Sequence, residues 1–228
     1  MADLHRRHPS SYEPGPAVLV VALEGWIDAG QAAATAAEAV AAEARLEVLA
    51  TFDDDALIDY RARRPIVHLR EGVTTDIEWA TLALSGGRDR EGHGVLMLSG
   101  PEPDMLWRAF SAEVLDLAVE LGAHTVCGLG AYPMTVPHTR PSRLAATSPD
   151  AELVRRLNLE QGTVDLPAGM SSLLEFEAHR RGLTALTLWA QVPHYAASMS
   201  YPGASLALLE GLRSVTGVAI AGEAARAA

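Results

Sequence analysis

Between residues 123 and 141 the sequence passes from an apolar run into a loop rich in proline. The apolar part is bounded by Gly122 and Gly130 and predicts a buried strand. Three prolines follow within the loop, and each one fixes its own φ angle and restricts the residue before it. A rigid loop of this kind, just past the end of a strand, is expected to present its polar side chains, which are Tyr132, His138, Thr139 and Arg140.

The same arrangement follows three other apolar runs, 17–23, 95–98 and 184–189. Each of them ends in a glycine or proline turn that carries charged or aromatic side chains. In open α/β sheets, ligands bind in the crevice outside the carboxyl ends of parallel strands. The spacing therefore predicts that eight side chains form one rim at this edge of the sheet and that most of them lie within one cleft. They are Glu24, Asp28, Glu102, Asp104, His138, Arg140, His194 and Tyr195.

Apolar runs that alternate with helical patterns are typical of a wound α/β fold. We expect a single domain over 17–220 with a mixed central sheet, preceded by a flexible arm at 1–16 and followed by a tail at 221–228. Helices are expected at 29–45, 105–121, 148–159, 170–181 and 202–213. Asp28 is expected to open the first, Gly122 to end the second and Ser148 to cap the third. Sheet strands are predicted at 17–23, 46–51, 66–70, 76–84, 94–99, 123–129 and 184–190.

Composition limits the function. The 228 residues carry a formal charge of −11, which argues against nucleic acid or an anionic membrane as a partner, because both require a basic face. No apolar run has the length of a membrane span, and the N-terminus has no signal-peptide pattern, so a cytoplasmic protein is expected.

The chain contains no lysine, which excludes a Walker lysine, a Schiff base and a lysine general base. Its one cysteine, Cys127, lies in an apolar run and is expected to be buried and inert. Zinc-ligand spacing is absent, and we predict neither a metal nor a cofactor. The acidic run 53–55 has two interpretations, a helix N-cap, which we favour, or a magnesium site.

Five segments, in the same order along the chain, carry a resemblance to a known family. The chain resembles the proteasome-assembly-chaperone family, in its prokaryotic branch, from about Val18 to Gly217. The segments that carry the resemblance are 25–30, 59–65, 99–104, 137–141 and 189–195.

The resemblance implies a three-layer α/β sandwich, similar in architecture to nucleoside phosphorylases and related hydrolases. It also implies self-association, as a trimer or larger ring, and docking on proteasome α subunits. Members that dock on proteasomes usually end in a three-residue motif, which consists of a hydrophobic residue, a tyrosine and a final residue of any type. The printed sequence ends at 223–228 with Glu-Ala-Ala-Arg-Ala-Ala and departs from that pattern.

Two functions are open at this point. The chain is either a non-enzymatic, protein-binding assembly factor, which we favour, or a hydrolase- or phosphorylase-type enzyme acting on a small anionic or nucleoside-like substrate. In the enzyme, His138 or His194 acts as a general base beside Glu24 or Glu102, and Arg140 clamps an anion. In the assembly factor, the same side chains hold the loops rigid through hydrogen bonds. A pocket that gathers imidazole, guanidinium and carboxylate at one point favours the enzyme.

Overall fold

The protein is described by a computed structural model that covers residues 4–25, 27–160, 162–223 and 225. Its strands are β1 (His5–Arg7), β2 (Ala17–Glu24), β3 (Glu47–Phe52), β4 (Ile66–Arg70), β5 (Val73–Glu78), β6 (Ala83–Arg88), β7 (Gly94–Pro101), β8 (Ala123–Met134), β9 (Leu144–Thr147) and β10 (Thr184–Pro193). Its α-helices are α1 (Ala32–Glu43), α2 (Asp54–Leu57), α3 (Trp107–Glu120), α4 (Ala151–Leu157), α5 (Met170–Arg180) and α6 (Pro202–Thr216).

The central sheet has eight strands in the order β1-β3-β6-β7-β2-β8-β10-β9. Its middle, β7-β2-β8-β10, is parallel, whereas β6, β3 and β1 on one side and β9 on the other pair antiparallel to their neighbours. The predicted mixed α/β sheet is confirmed. The strands predicted at 123–129 and 184–190 lie within it, between β2 and β9.

Helices cover both faces of the sheet, which gives three layers. Along β2, alternate side chains point to opposite faces, so Val18 and Val20 pack in the core beneath α1 and α6, while Leu19 and Val21 pack in the core beneath α3 and α5. A central strand that is buried on both faces reads as a continuous apolar run, and this is why the parallel strands were predictable. Across the described part of the chain, no helix is both long and apolar enough to cross a bilayer.

The strand predicted at 76–84 is wrong. Residues 73–78 form β5 and residues 83–88 form β6, and the two strands lie in different sheets. The predicted strand 66–70 does form, as β4, but it pairs only with β5 in a separate two-stranded hairpin. One face of this hairpin carries His68, Arg70, Asp76 and Glu78, and such a face cannot be buried beneath a helix layer.

Two short strands at the margins of the sheet were not predicted. The segment expected to be a flexible arm contains β1, which pairs with β3, and residues 1–3 of that arm lie outside the described residues. Strand β9 is only Leu-Ala-Ala-Thr, a short run with little strand propensity, and it forms because it pairs with β10. The helix expected to begin at Ser148 is capped instead by Asp150, whose carboxylate accepts from the N–H groups of Glu152 and Leu153.

Candidate functional site

The loops that follow β7, β2, β8 and β10 lie along one edge of the sheet, because these four strands are parallel neighbours. This is the edge at which the sequence places the candidate side chains. The structure engages most of those side chains in contacts with other parts of the protein, in separate groups along the edge. The groups are described in order from β7 to β10.

Asp104, after β7, is held by Arg63. The guanidinium of Arg63 donates to both carboxylate oxygens at 3.2–3.3 Å, and Nη1 lies 3.5 Å from the carbonyl oxygen of Glu24. The backbone N–H of Asp59 donates to the same carboxylate at 2.9 Å. Gly25 permits this approach, because a Cβ there would lie 2.5 Å from Arg63 Nη1 and its φ is +120°. Asp104 and the Glu24 backbone therefore fasten the segment 59–65 to the sheet edge.

Glu102 caps a helix. Its Oε1 accepts a 2.5 Å hydrogen bond from the backbone N–H of Met170, the first residue of α5, where the free N–H groups and the helix dipole favour a carboxylate. The Glu102 N–H donates to the Glu24 carbonyl at 2.6 Å. No hydrogen bond joins Glu102 to His138 or His194 among the contacts of the described residues, so the acid–imidazole pairing expected for the enzyme does not form.

Asp28, after β2, also serves a helix. Its two carboxylate oxygens accept from the N–H groups of Ala33 at 2.8 Å and Ala34 at 3.0 Å, in the first turn of α1. The backbone of Gly30 nearby exchanges hydrogen bonds with Ala197 at 2.7 Å and Tyr201 at 2.9 Å. Asp28 thus initiates α1, as the sequence predicts, and the turn that follows it is joined to the loop after β10.

His138 and His194 both contact Tyr195. The Tyr195 hydroxyl accepts from the His138 backbone N–H at 2.9 Å and lies 2.8 Å from His138 Nδ1. The His194 ring centroid lies 5.4 Å from that of Tyr195, in an edge-to-face arrangement. These residues are exposed, as are Thr139 and Arg140. The two histidines therefore lie together, and the group they form is aromatic and lies at the surface.

Tyr132 belongs to a further group, which lies around a cavity of about 210 Å³ at the ends of β8 and β10. Buried Gln191 donates through Nε2 to the Tyr132 hydroxyl at 3.1 Å and to Glu160, and Arg143 pairs with Glu160 at 3.0 Å. The hydrogen bonds from Arg143 and Gln191 hold the pKa of Glu160 below its usual range. Glu160 is therefore ionised at neutral pH.

Most of the side chains that line this cavity were not predicted from the sequence. Of the predicted rim residues, Arg140 lines it. Gln191 gave a usable signal, since an amide next to an apolar strand run requires partners when buried. Arg143 and Glu160 gave no such signal in the sequence, because they are brought together only by the pairing of β9 with β10 and the bridge from Ala145 to Glu160.

The remaining candidates for chemistry lie elsewhere. Cys127 is buried, as predicted, and desolvation raises the pKa of its thiol to about 12, which disfavours the reactive thiolate. Asp53 caps α2 by accepting from the Ala56 N–H at 3.3 Å, as expected, whereas Asp54 accepts from the N–H of the distant Leu82 at 3.0 Å. Within the described ranges, no three His, Cys, Asp or Glu side chains are grouped so that they would hold a metal ion.

The comparison with protein families gives a result that agrees with this architecture. The profile of the PAC2 family matches residues 22–226, which is most of the chain. The chain belongs to the PAC2 family. All five segments that carry the resemblance to proteasome-assembly chaperones lie within the matched range. No curated protein matches the chain.

Solved structures from several organisms are similar to this PAC2 protein. A PAC2 family protein from Streptomyces avermitilis is 39% identical, with a TM-score of 0.82 over 92% of each chain. The Mycobacterium tuberculosis proteasome-assembly chaperone homologue Rv2125 is 33% identical, with a TM-score of 0.85 over 92% of this chain and 89% of that one. Pyrococcus furiosus PbaB, described as an archaeal proteasome activator, is 14% identical with a TM-score of 0.76 over 98% of this chain and 92% of its own, and shares the fold.

Proposed function

We propose that this PAC2 protein is a non-enzymatic, cytoplasmic assembly factor that binds other protein chains, beginning with copies of itself. The observation that carries the proposal is the hairpin formed by β4 and β5, whose residues are almost all exposed. An isolated two-stranded hairpin is only marginally stable in water, and stability requires a further strand or a packed face. A hairpin of this kind in a folded protein is expected to be completed by another chain.

The two faces of the hairpin differ in character. The register pairs Val67 with Ile77, and Leu69 extends the same face along β4. Exposures of 50%, 43% and 56% leave these three side chains in solvent in the monomer. The opposite face carries charges of both signs, with His68 Nε2 3.0 Å from Glu78. Contiguous exposed apolar surface with a polar border is typical of a protein-binding site.

A second copy of the chain is the partner that this surface fits best. The whole chain carries a charge of −11, so contact between most surfaces of two copies is repulsive. The hairpin itself carries Arg70 against Glu71, Asp76 and Glu78, so two hairpins approach best through their apolar faces, with Asp76 and Glu78 turned away from the contact. We propose a trimer or larger ring assembled through this hairpin, with proteasome α subunits as the further partner.

The groups at the sheet edge support a binding role over catalysis. Asp28 and Glu102 are used as helix caps, and Asp104 is used by Arg63. A general base must have its lone pair available to a substrate proton, and a carboxylate that accepts backbone N–H groups is already engaged. Absence of lysine removes a further set of mechanisms.

The experiment compares two matched valine substitutions on opposite faces of the hairpin. We expect the wild-type protein to show, in light scattering at micromolar concentration, at least three times the monomer mass of 24.2 kDa. Val67→Asp, on the apolar face, is expected to give monomer. Val73→Asp, which pairs with Arg70 on the charged face, is expected to keep the wild-type mass. Proteasome α subunits are then expected to co-purify with wild type and not with Val67→Asp.

A wild-type mass of 24.2 kDa would contradict the proposed self-association, and equal effects of the two substitutions would contradict the role of the apolar face. Circular dichroism of each variant checks that the fold is kept. The competing enzyme hypothesis is tested by assaying wild type against nucleosides with phosphate and against ester and phosphoester panels. Turnover that is lost in a folded His138→Ala variant would refute the non-enzymatic function.

A further inference from the structure

The cavity at the ends of β8 and β10 contains groups that the contacts of the described residues leave unsatisfied. Ser142 lines it, and its Oγ is buried without a hydrogen-bond partner among those residues. Buried polar atoms are nearly always paired, so the unpaired hydroxyl of a residue that lines a cavity indicates a place for a further hydrogen-bond partner. Buried Gln191 and the ring of Tyr201 line the same cavity.

The charges around the cavity do not cancel. Arg143 and Glu160 pair with each other at 3.0 Å, which leaves Arg140 as the third charged residue of the lining. Arg140 makes no ion pair with any residue that the structure describes, and its backbone N–H is 3.4 Å from the carbonyl of Pro137. The lining therefore has one uncompensated positive charge, in a chain whose total charge is −11. A monoanion balances that charge.

The rest of the lining is apolar and rigid. It includes the side chains of Met134, Val136, Pro137, Pro141 and Pro193. Prolines fix the backbone, so the cavity is expected to keep its shape without a ligand. Its volume of about 210 Å³ lies below the roughly 300 Å³ at which drug-sized pockets begin, so it suits a group the size of one amino-acid residue.

From these observations we propose that the cavity binds a carboxylate carried on a small apolar body, with Arg140 and the Ser142 hydroxyl as donors to the carboxylate. Ionised Glu160 in the lining disfavours a dianionic phosphate, because a second negative charge would meet no second free cation. The ligand is either a free carboxylic acid or the carboxyl terminus of a polypeptide, which present the same group. The hairpin 66–78 contributes no residue to the cavity, so this proposal is independent of the proposed function.

The test titrates the full chain with four probes by calorimetry or NMR. N-acetyl-leucine represents a chain terminus, isobutyrate a free acid, N-acetyl-leucinamide the same body without charge, and inorganic phosphate a competing anion. We expect at least one of the two carboxylates to bind at least about tenfold more tightly than the amide and than phosphate, as is typical when a charge-assisted hydrogen bond is lost. Binding of N-acetyl-leucine alone identifies a chain terminus, and binding of isobutyrate with equal affinity identifies the carboxylate as sufficient.

Two variants locate the site. Arg140→Gln is expected to weaken carboxylate binding at least about tenfold, and Ser142→Ala to weaken it by a smaller factor. Arg155→Gln, an exposed arginine of α4 that does not line the cavity, is the matched control and is expected to bind as wild type. The proposal is overturned if neither carboxylate binds, if the amide or phosphate binds as tightly, or if Arg140→Gln keeps the wild-type affinity.

Discussion

Asp89→Asn is expected to loosen the attachment of the C-terminal segment. The Asp89 side chain is fully buried, and Oδ1 accepts from the N–H groups of Glu91 at 2.9 Å and His93 at 2.8 Å. Oδ2 accepts from the Ala219 N–H at 2.7 Å and lies 2.9 Å from His93 Nδ1. One carboxylate thus joins the turn between β6 and β7 to the residues after α6.

The substitution keeps the shape of the side chain and changes one acceptor into a donor. An amide has only one oxygen, so the NH₂ group of the new asparagine must face either the backbone N–H groups of Glu91 and His93 or the backbone N–H of Ala219. His93 can change tautomer to accept from this NH₂, but the Ala219 N–H cannot, and Ala219 is only 9% exposed. An orphaned buried donor costs about 1–3 kcal/mol. At about 2 kcal/mol the melting temperature falls by roughly 4–8 °C for a chain of this size.

Lowering the pH should remove the difference in stability between the wild type and Asp89→Asn. Burial raises the pKa of Asp89, but the hydrogen bonds from Ala219, His93 and Glu91 outweigh burial and hold the pKa below its usual range. The stabilisation is therefore complete above the unfolded pKa of about 3.9 and is lost as the pH falls through the lower folded pKa.

Urea unfolding at pH 7 and at steps down to pH 3 measures this dependence, with hydrogen exchange at Ala219 as a local readout. The exposed Asp165→Asn is the matched control and should stay within about 0.5 kcal/mol of wild type. Equal stability of Asp89→Asn and Asp165→Asn at pH 7, or unchanged protection of the Ala219 amide, would refute the reasoning.

Three further outcomes are expected. Glu175→Gln should stabilise the protein at neutral pH, since burial raises the pKa of Glu175 and so disfavours its ionised form; the gain should vanish in urea titrations well below the unfolded pKa of about 4.3, where both states are protonated. Gly30→Ala should cost about 1–3 kcal/mol, because φ is +68° and the new Cβ would lie 2.7 Å from Tyr201 Cβ, whereas Gly203→Ala should not destabilise. Cys127 should react with a thiol reagent only after unfolding, as its pKa of about 12 and its burial indicate. Reaction in the folded protein as fast as that of an exposed thiol would contradict this.

The sequence predicted the elements whose side chains lie inside the protein. Strands β2, β7, β8 and β10 are continuous apolar runs because helices cover them on both sides, and an apolar run is visible in the sequence. Strands β1 and β9 form through pairing with a distant segment, and such pairing leaves no local pattern. The same reason separates β5 from β6, because the alternation at 76–84 does not show in which sheet each half pairs.

The candidate site was predictable in position and less so in chemistry. Parallel strands bring their following loops to one edge, and this follows from topology alone. Which carboxylate meets which donor depends on distances of a few tenths of an ångström between segments far apart in sequence. Glu102 is 68 residues from Met170, and no local signal relates them.

The segments that carry the family resemblance contact one another, and this explains why they look like a functional site. Arg63 of the segment 59–65 binds Asp104 of 99–104, and Arg63 Nη1 also lies 3.5 Å from the carbonyl oxygen of Glu24, which precedes the segment 25–30. His138 of 137–141 contacts Tyr195 of 189–195 through the tyrosine hydroxyl. Side chains that hold loops in this way need fixed identities for the same geometric reason that catalytic side chains do. Arg140 is the charged member of these segments that lines the cavity, and it makes no ion pair with the described residues, so we expect a binding role rather than a structural one at this position.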